Sequence, residues 1–177
     1  IIEKYNIVDK EFFMATENVK LDQSEELNLE QKVTVRNLAG WPVGFRRIET
    51  LGDVTIPKEG TVRLSRGEII AQTQSGNRLF NGIDERGSHA TLYIEDEPTR
   101  LEVEFDSKEE KRTQFVLNTD IVKKLFDYKT MKSFEDKLHE YVVTRAEKYA
   151  ITQIIKKLKL NDHEKIRVIE EYTGYKV

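Results

Sequence analysis

Glycine is distributed unevenly along this chain of 177 residues, and that distribution constrains the fold more than any other feature. Eight of the nine glycines lie between residues 40 and 87, and only Gly174 follows them. They separate short runs rich in β-branched residues, a pattern typical of tight turns in antiparallel structure. The rest of the chain after residue 106 is poor in glycine and rich in lysine, as helices are. We predict an α+β protein: an antiparallel β domain of barrel or sandwich type over residues 32–106, then a helical domain over 107–177.

Residues 1–31 have a different composition from both predicted domains. They contain neither glycine nor proline and carry eight acidic residues against three lysines. We interpret them as an acidic extended arm that packs on its own domain or on a neighbour, with Phe12 and Phe13 as candidate contacts to a protein partner. Since a starting methionine is not normally removed before isoleucine, we expect the numbered chain to begin after a cleavage or a leader segment.

The β domain is predicted from period-2 alternation. "KVTVRNL" is a strand with Val33 and Val35 on one face, and "PVGFRRIE" is the next. We interpret "DVTIPKEGTVRLS" as a hairpin turning at 57–60. "ATLYI" and "LEVEF" are predicted to be two further strands joined by a turn containing Pro98.

One short helix is predicted to cross this domain. Ser65 and Glu68 have the spacing of a capping box, in which the serine accepts an amide hydrogen bond and the glutamate reaches back to the cap. The helix is expected to stop at Gly76.

A serine and a histidine stand side by side at Ser88-His89, close to Asp84 and Glu85. Neighbouring residues of an extended strand point to opposite faces of a sheet, whereas a serine nucleophile needs its base within about 2.6–3.2 Å. We therefore predict that this stretch turns a corner and has no hydrolytic role. The sequence predicts no catalytic residues, so the protein is interpreted as a non-enzyme.

The remaining signals for bound groups are weak. The chain has no cysteine, which excludes disulfides and thiolate ligands, and its three histidines are isolated from one another. No phosphate-binding glycine motif is present. We predict no metal, no cofactor and no small-molecule substrate.

Aromatic residues near the first turn are candidates for contacts. Trp41, the sole tryptophan, and Phe45 follow the first predicted strand. We interpret Trp41 as packing in the core or at its rim. The alternative is a role for Trp41 and Phe45 at a protein interface, because tryptophan is enriched in binding hot spots.

The tail is predicted to form three or four helices, since capping residues precede apolar stripes of helical period. These caps are Asn118 or Thr119, Ser133, Thr144 in a capping box, and Asn161 or Asp162, with Gly174 as the final stop. The middle two helices are interpreted as either separate or one kinked rod.

The last two helices resemble a helix-turn-helix, but the second carries four acids, which repel phosphate. We interpret the basic cluster of Lys156, Lys157 and Lys159 as a solvated helix end; the alternative is a non-specific contact to nucleic acid.

Charge divides the chain as glycine does. Residues 1–106 hold 13 basic against 20 acidic residues, and residues 107–177 hold 16 against 12. Such halves are either ordinary solvated surfaces or attract one another or a partner. No apolar run approaches the roughly 20 residues that span a bilayer, so no membrane anchor is predicted.

One stretch has a family resemblance. In residues 33–82, "VRNL" opens a strand, "IPKEG" lies in a hairpin, and "RLSRGEI" starts a short helix. This order resembles the small β-domain structural proteins of tailed bacteriophages. The resemblance implies a virion component, such as a capsid auxiliary, head or neck protein, located in the virion or the host cytoplasm. The leading hypothesis is thus a non-enzymatic structural or assembly protein that binds other proteins, including copies of itself, through its arm and helices. The alternative is a nucleic-acid-binding or regulatory protein using the basic helices.

Overall fold

A computed structural model describes residues 26–177. Within them the chain forms five strands and seven helices. The strands are β1 (Lys32–Asn37), β2 (Val43–Arg46), β3 (Asp53–Ile56), β4 (Thr61–Ser65) and β5 (Leu92–Ile94). The helices are α1 (Arg66–Gln74), α2 (Arg78–Asn81), α3 (Glu97–Glu102), α4 (Thr119–Phe126), α5 (Met131–Tyr141), α6 (Arg145–Leu158) and α7 (His163–Thr173). The predicted α+β class, with sheets preceding most of the helices, is confirmed.

The strands form two small antiparallel sheets. In the first, β1 lies between β4 and β5, so that Val33 faces Leu64 and Val35 faces both Val62 and Ile94. In the second, β2 pairs with β3. Both sheets have open edges, so the described strands do not close into a barrel.

The predicted hairpin over residues 53–65 is wrong. The turn exists, with the Gly60 amide donating to the Pro57 carbonyl at 3.0 Å, but β3 pairs with β2 while β4 pairs with β1. The buried side chain of Asn37 explains the arrangement. Its Nδ2 donates to the carbonyls of Trp41 and Pro57, both at 2.9 Å, and so fixes the end of β3 beside the end of β1. The turn therefore carries the chain from one sheet to the other.

The predicted strand over residues 101–105 is also wrong, because residues 101–102 belong to helix α3 and residues 103–105 follow it. Asp96 caps the helix by accepting from the Thr99 amide at 3.1 Å, and Pro98 lies in the first turn, where its missing N–H costs nothing. Asp96 also receives the buried Arg66 guanidinium at 3.0 Å.

Two apolar cores divide the described chain into a sheet region, from β1 to α3, and a helical region, from α4 to α7. The first contains both sheets and helix α1, with Val35, Ile56 and Ile69 fully buried. The second joins α4 to α7 around residues such as Phe134 and Ile155. One residue of a late helix, Ala146, belongs to the first core.

The start of helix α6 forms the junction between the two regions. Tyr149 packs edge-on against Trp41, with ring centroids 6.5 Å apart, and Arg145 lies over the Trp41 ring at 4.7 Å. A Cβ atom at Gly40 would fall 2.1 Å from the Tyr149 ring. Glycine at position 40 is thus what permits this close approach.

A shared carboxylate completes the junction. Glu147 Oε2 accepts from the amides of Val143 and Thr144 at 2.9 and 3.0 Å. Its other oxygen, Oε1, lies 2.6 Å from His89 Nδ1, a residue of the sheet region. Because Thr144 Oγ1 accepts from the Glu147 amide in return, the predicted capping box is confirmed.

The helical region follows its predicted caps closely. Asn118 caps α4, Asp162 caps α7, and Gly174 ends α7 in the left-handed conformation with φ 77°. Helix α5 begins earlier than predicted, since Thr130 caps it in place of Ser133. The chain leaves the helical conformation at 142–144, so α5 and α6 are separate helices. None of the helices over residues 26–177 combines the length and apolarity needed to cross a membrane.

Candidate interaction surface

The Ser88-His89 stretch is a turn. Glu85, Gly87 and His89 have positive φ values of 60°, 83° and 57°, and the strand begins only at Leu92. The prediction that the stretch turns a corner is confirmed, whereas the placement of His89 on a strand face is wrong. The left-handed backbone at His89 directs the chain into β5.

The serine and the histidine of this turn have different partners. The Asp84 carboxylate accepts from the Ser88 amide at 3.0 Å, and His89 is bound to Glu147. Burial alone would raise the pKa of Asp84, but hydrogen bonds from the Ser88 hydroxyl and from nearby amides outweigh it and lower the pKa below its ordinary value. Both acidic partners therefore stabilise folded structure here, one within the turn and one across the junction.

The two predicted aromatic contacts within the described residues have partners inside the chain. Trp41 is half-buried against Tyr149 and Arg145, and Phe45 packs edge-on against Phe80 with centroids 5.4 Å apart. The other two, Phe12 and Phe13, lie outside the described residues. The role of these four residues at a protein interface stays a prediction.

The three predicted nucleic-acid contacts lie together at the end of helix α6. Lys156, Lys157 and Lys159 are all exposed, and Lys159 ends the helix with φ 52°. The acids Glu170 and Glu171 lie on the following helix. The structure thus brings the lysines together, and their contact with nucleic acid stays a prediction.

The loop between β2 and β3 exposes apolar side chains, a feature that no local sequence pattern predicts. This hairpin tip spans residues 47–52 and is closed by a hydrogen bond from the Arg47 amide to the Gly52 carbonyl at 2.9 Å. At the tip, Leu51 is 93 % exposed and Ile48 is 50 % exposed. Leu51 is the most exposed large apolar residue among residues 26–177.

The hairpin tip is fixed to helix α1 by buried side chains. Glu68, which is 1 % exposed, accepts from the amides of Ile48 and Glu49, both at 2.9 Å. Gln72 donates to the Arg46 carbonyl at 2.7 Å. We call these two side chains, Glu68 and Gln72, the clamp.

Within the clamp, the environment of Glu68 favours its ionised carboxylate. Burial alone would raise the pKa of Glu68, but hydrogen bonds from Gln72 and from the two loop amides lower it below its ordinary value. The carboxylate of Glu49 adds a further contact, accepting from the Ser65 hydroxyl at 3.3 Å beside the first turn of α1. A carboxylate at this end of a helix is favoured by the helix dipole.

The tip carries charges of both signs. Arg47 and Glu49 lie within it, and Arg46 and Asp53 flank it as strand partners. Glu49 accepts from the Ser65 hydroxyl, whereas neither arginine forms an ion pair with any residue of the described range. The hairpin tip is therefore an apolar end with two arginines that have no ion-pair partner among the described residues.

A pocket of the opposite charge opens on another face of helix α1. We call it the acidic pocket; its volume is about 220 Å³. Exposed carboxylates rim it and apolar side chains form part of its wall. The rim comprises Glu85, Glu102 and Glu104, and the apolar wall comprises Ile70, Val103 and Phe105.

Asn81 lines the acidic pocket and is 7 % exposed. Its Nδ2 donates to the Thr73 carbonyl at 2.9 Å, whereas its Oδ1 accepts no hydrogen bond from any described residue. None of the three rim carboxylates takes part in an ion pair within the described part of the chain. Over residues 26–177 no cluster of histidine and acidic side chains has the arrangement of a metal site.

Comparison with family models, with curated proteins and with solved structures finds no match to this chain.

Proposed function

We propose that this protein is a non-enzymatic assembly component that docks onto other proteins through its hairpin tip. The observation that carries the proposal is the 93 % exposure of Leu51 on a loop held in place by buried side chains. The fixed loop keeps this large apolar side chain in water, so the free energy of the system falls when a partner covers it.

The clamp supports this proposal because it reduces the cost of binding. A mobile loop loses conformational freedom when it docks, whereas a preorganised one has already lost it on folding. Glu68 accepts two hydrogen bonds and Gln72 donates one, which together fix the backbone from Arg46 to Glu49 on the first side of the tip. The bond from the Arg47 amide to the Gly52 carbonyl links this side to the other. The partner best suited to this end has an apolar recess with acidic groups around it, which would receive Leu51 and pair with Arg46 and Arg47.

In its specific form, the proposal places the protein in the virion of a tailed bacteriophage or in the cytoplasm of its host. The support for this form is the resemblance over residues 33–82. The expected partners are other virion proteins and further copies of the chain.

The test is co-sedimentation with large assemblies from the native source after nuclease treatment. We expect wild-type protein to sediment with a nuclease-resistant assembly and Leu51→Asp to remain in the slow fraction. Leu29→Asp is the matched control, because Leu29 is 49 % exposed and receives the same change away from the tip. Equal sedimentation of Leu51→Asp and wild type would refute docking through the tip.

The nucleic-acid alternative is favoured by the exposure of Lys156, Lys157 and Lys159 at one helix end. This alternative predicts that the protein retards duplex DNA in a gel-shift experiment. The binding should weaken steeply as the salt concentration rises, because phosphate contacts release counterions. Replacing all three lysines with glutamate should abolish such a shift. An assembly that dissolves on nuclease treatment, together with this shift, would favour the alternative over the assembly protein.

A further inference from the structure

We propose that the hairpin tip of one copy docks into the acidic pocket of a second copy, so that the chain assembles head to tail. This inference rests on the proposed function and names the partner of the same tip. The two surfaces offer groups that can pair: Arg46 and Arg47 at the tip and the three exposed carboxylates at the pocket rim have no ion-pair partners among the described residues, whereas Glu49 of the tip contacts Ser65.

The pocket matches the tip in size and polarity. Its volume of about 220 Å³ lies below the roughly 300–1,000 Å³ of pockets that bind drug-sized molecules. It suits one or two side chains. The apolar wall of Ile70, Val103 and Phe105 would cover Leu51 while the rim pairs with the arginines.

Asn81 provides a second observation at the pocket. A buried amide oxygen without a hydrogen-bond partner costs free energy, on the order of 1–3 kcal/mol. Asn81 Oδ1 has no partner among the described residues, although the other end of the same amide is bound to Thr73. A guanidinium entering the acidic pocket brings five N–H donors to this wall.

The positions of the two surfaces on helix α1 determine the kind of assembly. The hairpin tip is fixed by Glu68 and Gln72, whereas the pocket is lined by Ile70, Thr73 and Gln74. At about 100° per residue these two sets lie on opposite faces of the helix. In the proposed assembly the tip and the pocket therefore face different neighbours, so each contact leaves one tip and one pocket free. Such a heterologous contact generates a ring or an open filament.

The experiment uses two variants that each lose one surface. Leu51→Asp removes the tip, and the double variant E85K/E102K reverses the pocket charge. Sedimentation velocity should show that wild type grows into oligomers with concentration, whereas each variant alone stays monomeric. A 1:1 mixture of the variants should form a complex of two chains and nothing larger, because only one tip and one pocket remain functional.

The control is E135K/D136K, which makes the same charge change at exposed positions of helix α5. It should assemble like wild type, and circular dichroism should show that all variants are folded. Wild type that stays monomeric up to about 1 mM, the weak end of specific affinity, would overturn the inference. So would a mixture of variants that remains monomeric while wild type assembles.

The two proposals fail in distinguishable ways. If wild type is monomeric alone but Leu51→Asp still loses co-sedimentation with native assemblies, only the head-to-tail contact is refuted. If Leu51→Asp changes neither self-assembly nor co-sedimentation, both proposals are refuted.

Discussion

The sheet region and the helical region are stabilised in different ways. The first core of the sheet region is surrounded by buried polar side chains that bind loops distant in sequence, such as Asn37, Arg66 and Glu68. The helical region is held mainly by apolar stripes, and most of its polar side chains act close in sequence, as caps. A few connect its helices, as where Tyr172 Oη donates to the Val142 carbonyl at 2.7 Å and Lys165 Nζ to the Phe126 carbonyl at 2.6 Å. Burying a polar group costs free energy unless it is paired. The sheet region is thus the part whose loop geometry depends on individual partners.

The largest effect should come from the apolar packing of the helical region. Phe134→Ala removes a fully buried ring and should lower the free energy of unfolding by about 3–5 kcal/mol. Urea titration followed by circular dichroism measures the loss. Native-state hydrogen exchange should locate the loss of protection in α4 to α7, if the two regions are stabilised separately.

The matched control is Phe115→Ala, which removes a half-buried ring stacked on Tyr141 at 5.9 Å, at the edge of the junction. It should cost less than Phe134→Ala. Equal loss of protection in β1 to β5 and in the helices after Phe134→Ala would contradict separate stabilisation.

A substitution in the clamp tests whether buried polar side chains stabilise the sheet region. Glu68→Gln weakens two charge-assisted hydrogen bonds to the tip and should cost about 2–3 kcal/mol. Because the folded-state pKa of Glu68 is lowered, its contribution is complete above the unfolded pKa of about 4.3. That contribution is lost as the pH falls through the folded-state pKa.

Measuring the free energy of unfolding from pH 7 down to pH 3 should therefore give a shallower acid decline for Glu68→Gln than for wild type. Glu59→Gln is the control, since Glu59 is exposed and its side chain makes no hydrogen bond to a described residue. If Glu68→Gln and wild type lose stability in parallel, the clamp does not contribute to acid sensitivity.

The junction should give the smallest of these effects. Gly40→Ala places a methyl group against Tyr149 and should cost about 1–2 kcal/mol through overpacking. In a Tyr149→Ala background the clash is absent, so the same substitution should cost much less. Additive losses in the double variant, measured by urea titration, would show that the Gly40 contact is not the source of the effect.

Sequence-based prediction succeeds better in the helical region than in the sheet region, because helix ends depend on local hydrogen bonds and strand pairing depends on nonlocal ones. The sequence therefore predicts the cap at Thr144 and the stop at Gly174 correctly and narrows the cap of the last helix to Asn161 or Asp162. Strand pairing is nonlocal, so the turn at 57–60 was found while its partners were not. Asp96 before Pro98 is a sequence signal for helix α3, but a proline between two alternating runs equally predicts a turn.

The candidate site was less predictable than the fold. Glu68 has the spacing to cap its own helix, yet its carboxylate binds the hairpin tip, a choice that depends on where β2 and β3 lie. The Ser65 half of that capping box is present, with Ser65 Oγ accepting from the Glu68 amide at 3.2 Å. The exposure of Leu51 likewise follows from loop placement and has no local signature.

Through its two carboxylate oxygens, Glu147 couples the cap of helix α6 to the contact with His89 of the sheet region. Fraying of the first turn of α6 would release the carboxylate and with it the imidazole of His89; conversely, withdrawal of His89 would leave the cap without its lateral support. A perturbation at either side is thus transmitted to the other, and because Ala146 of the same turn belongs to the first core, fraying would reach that core as well.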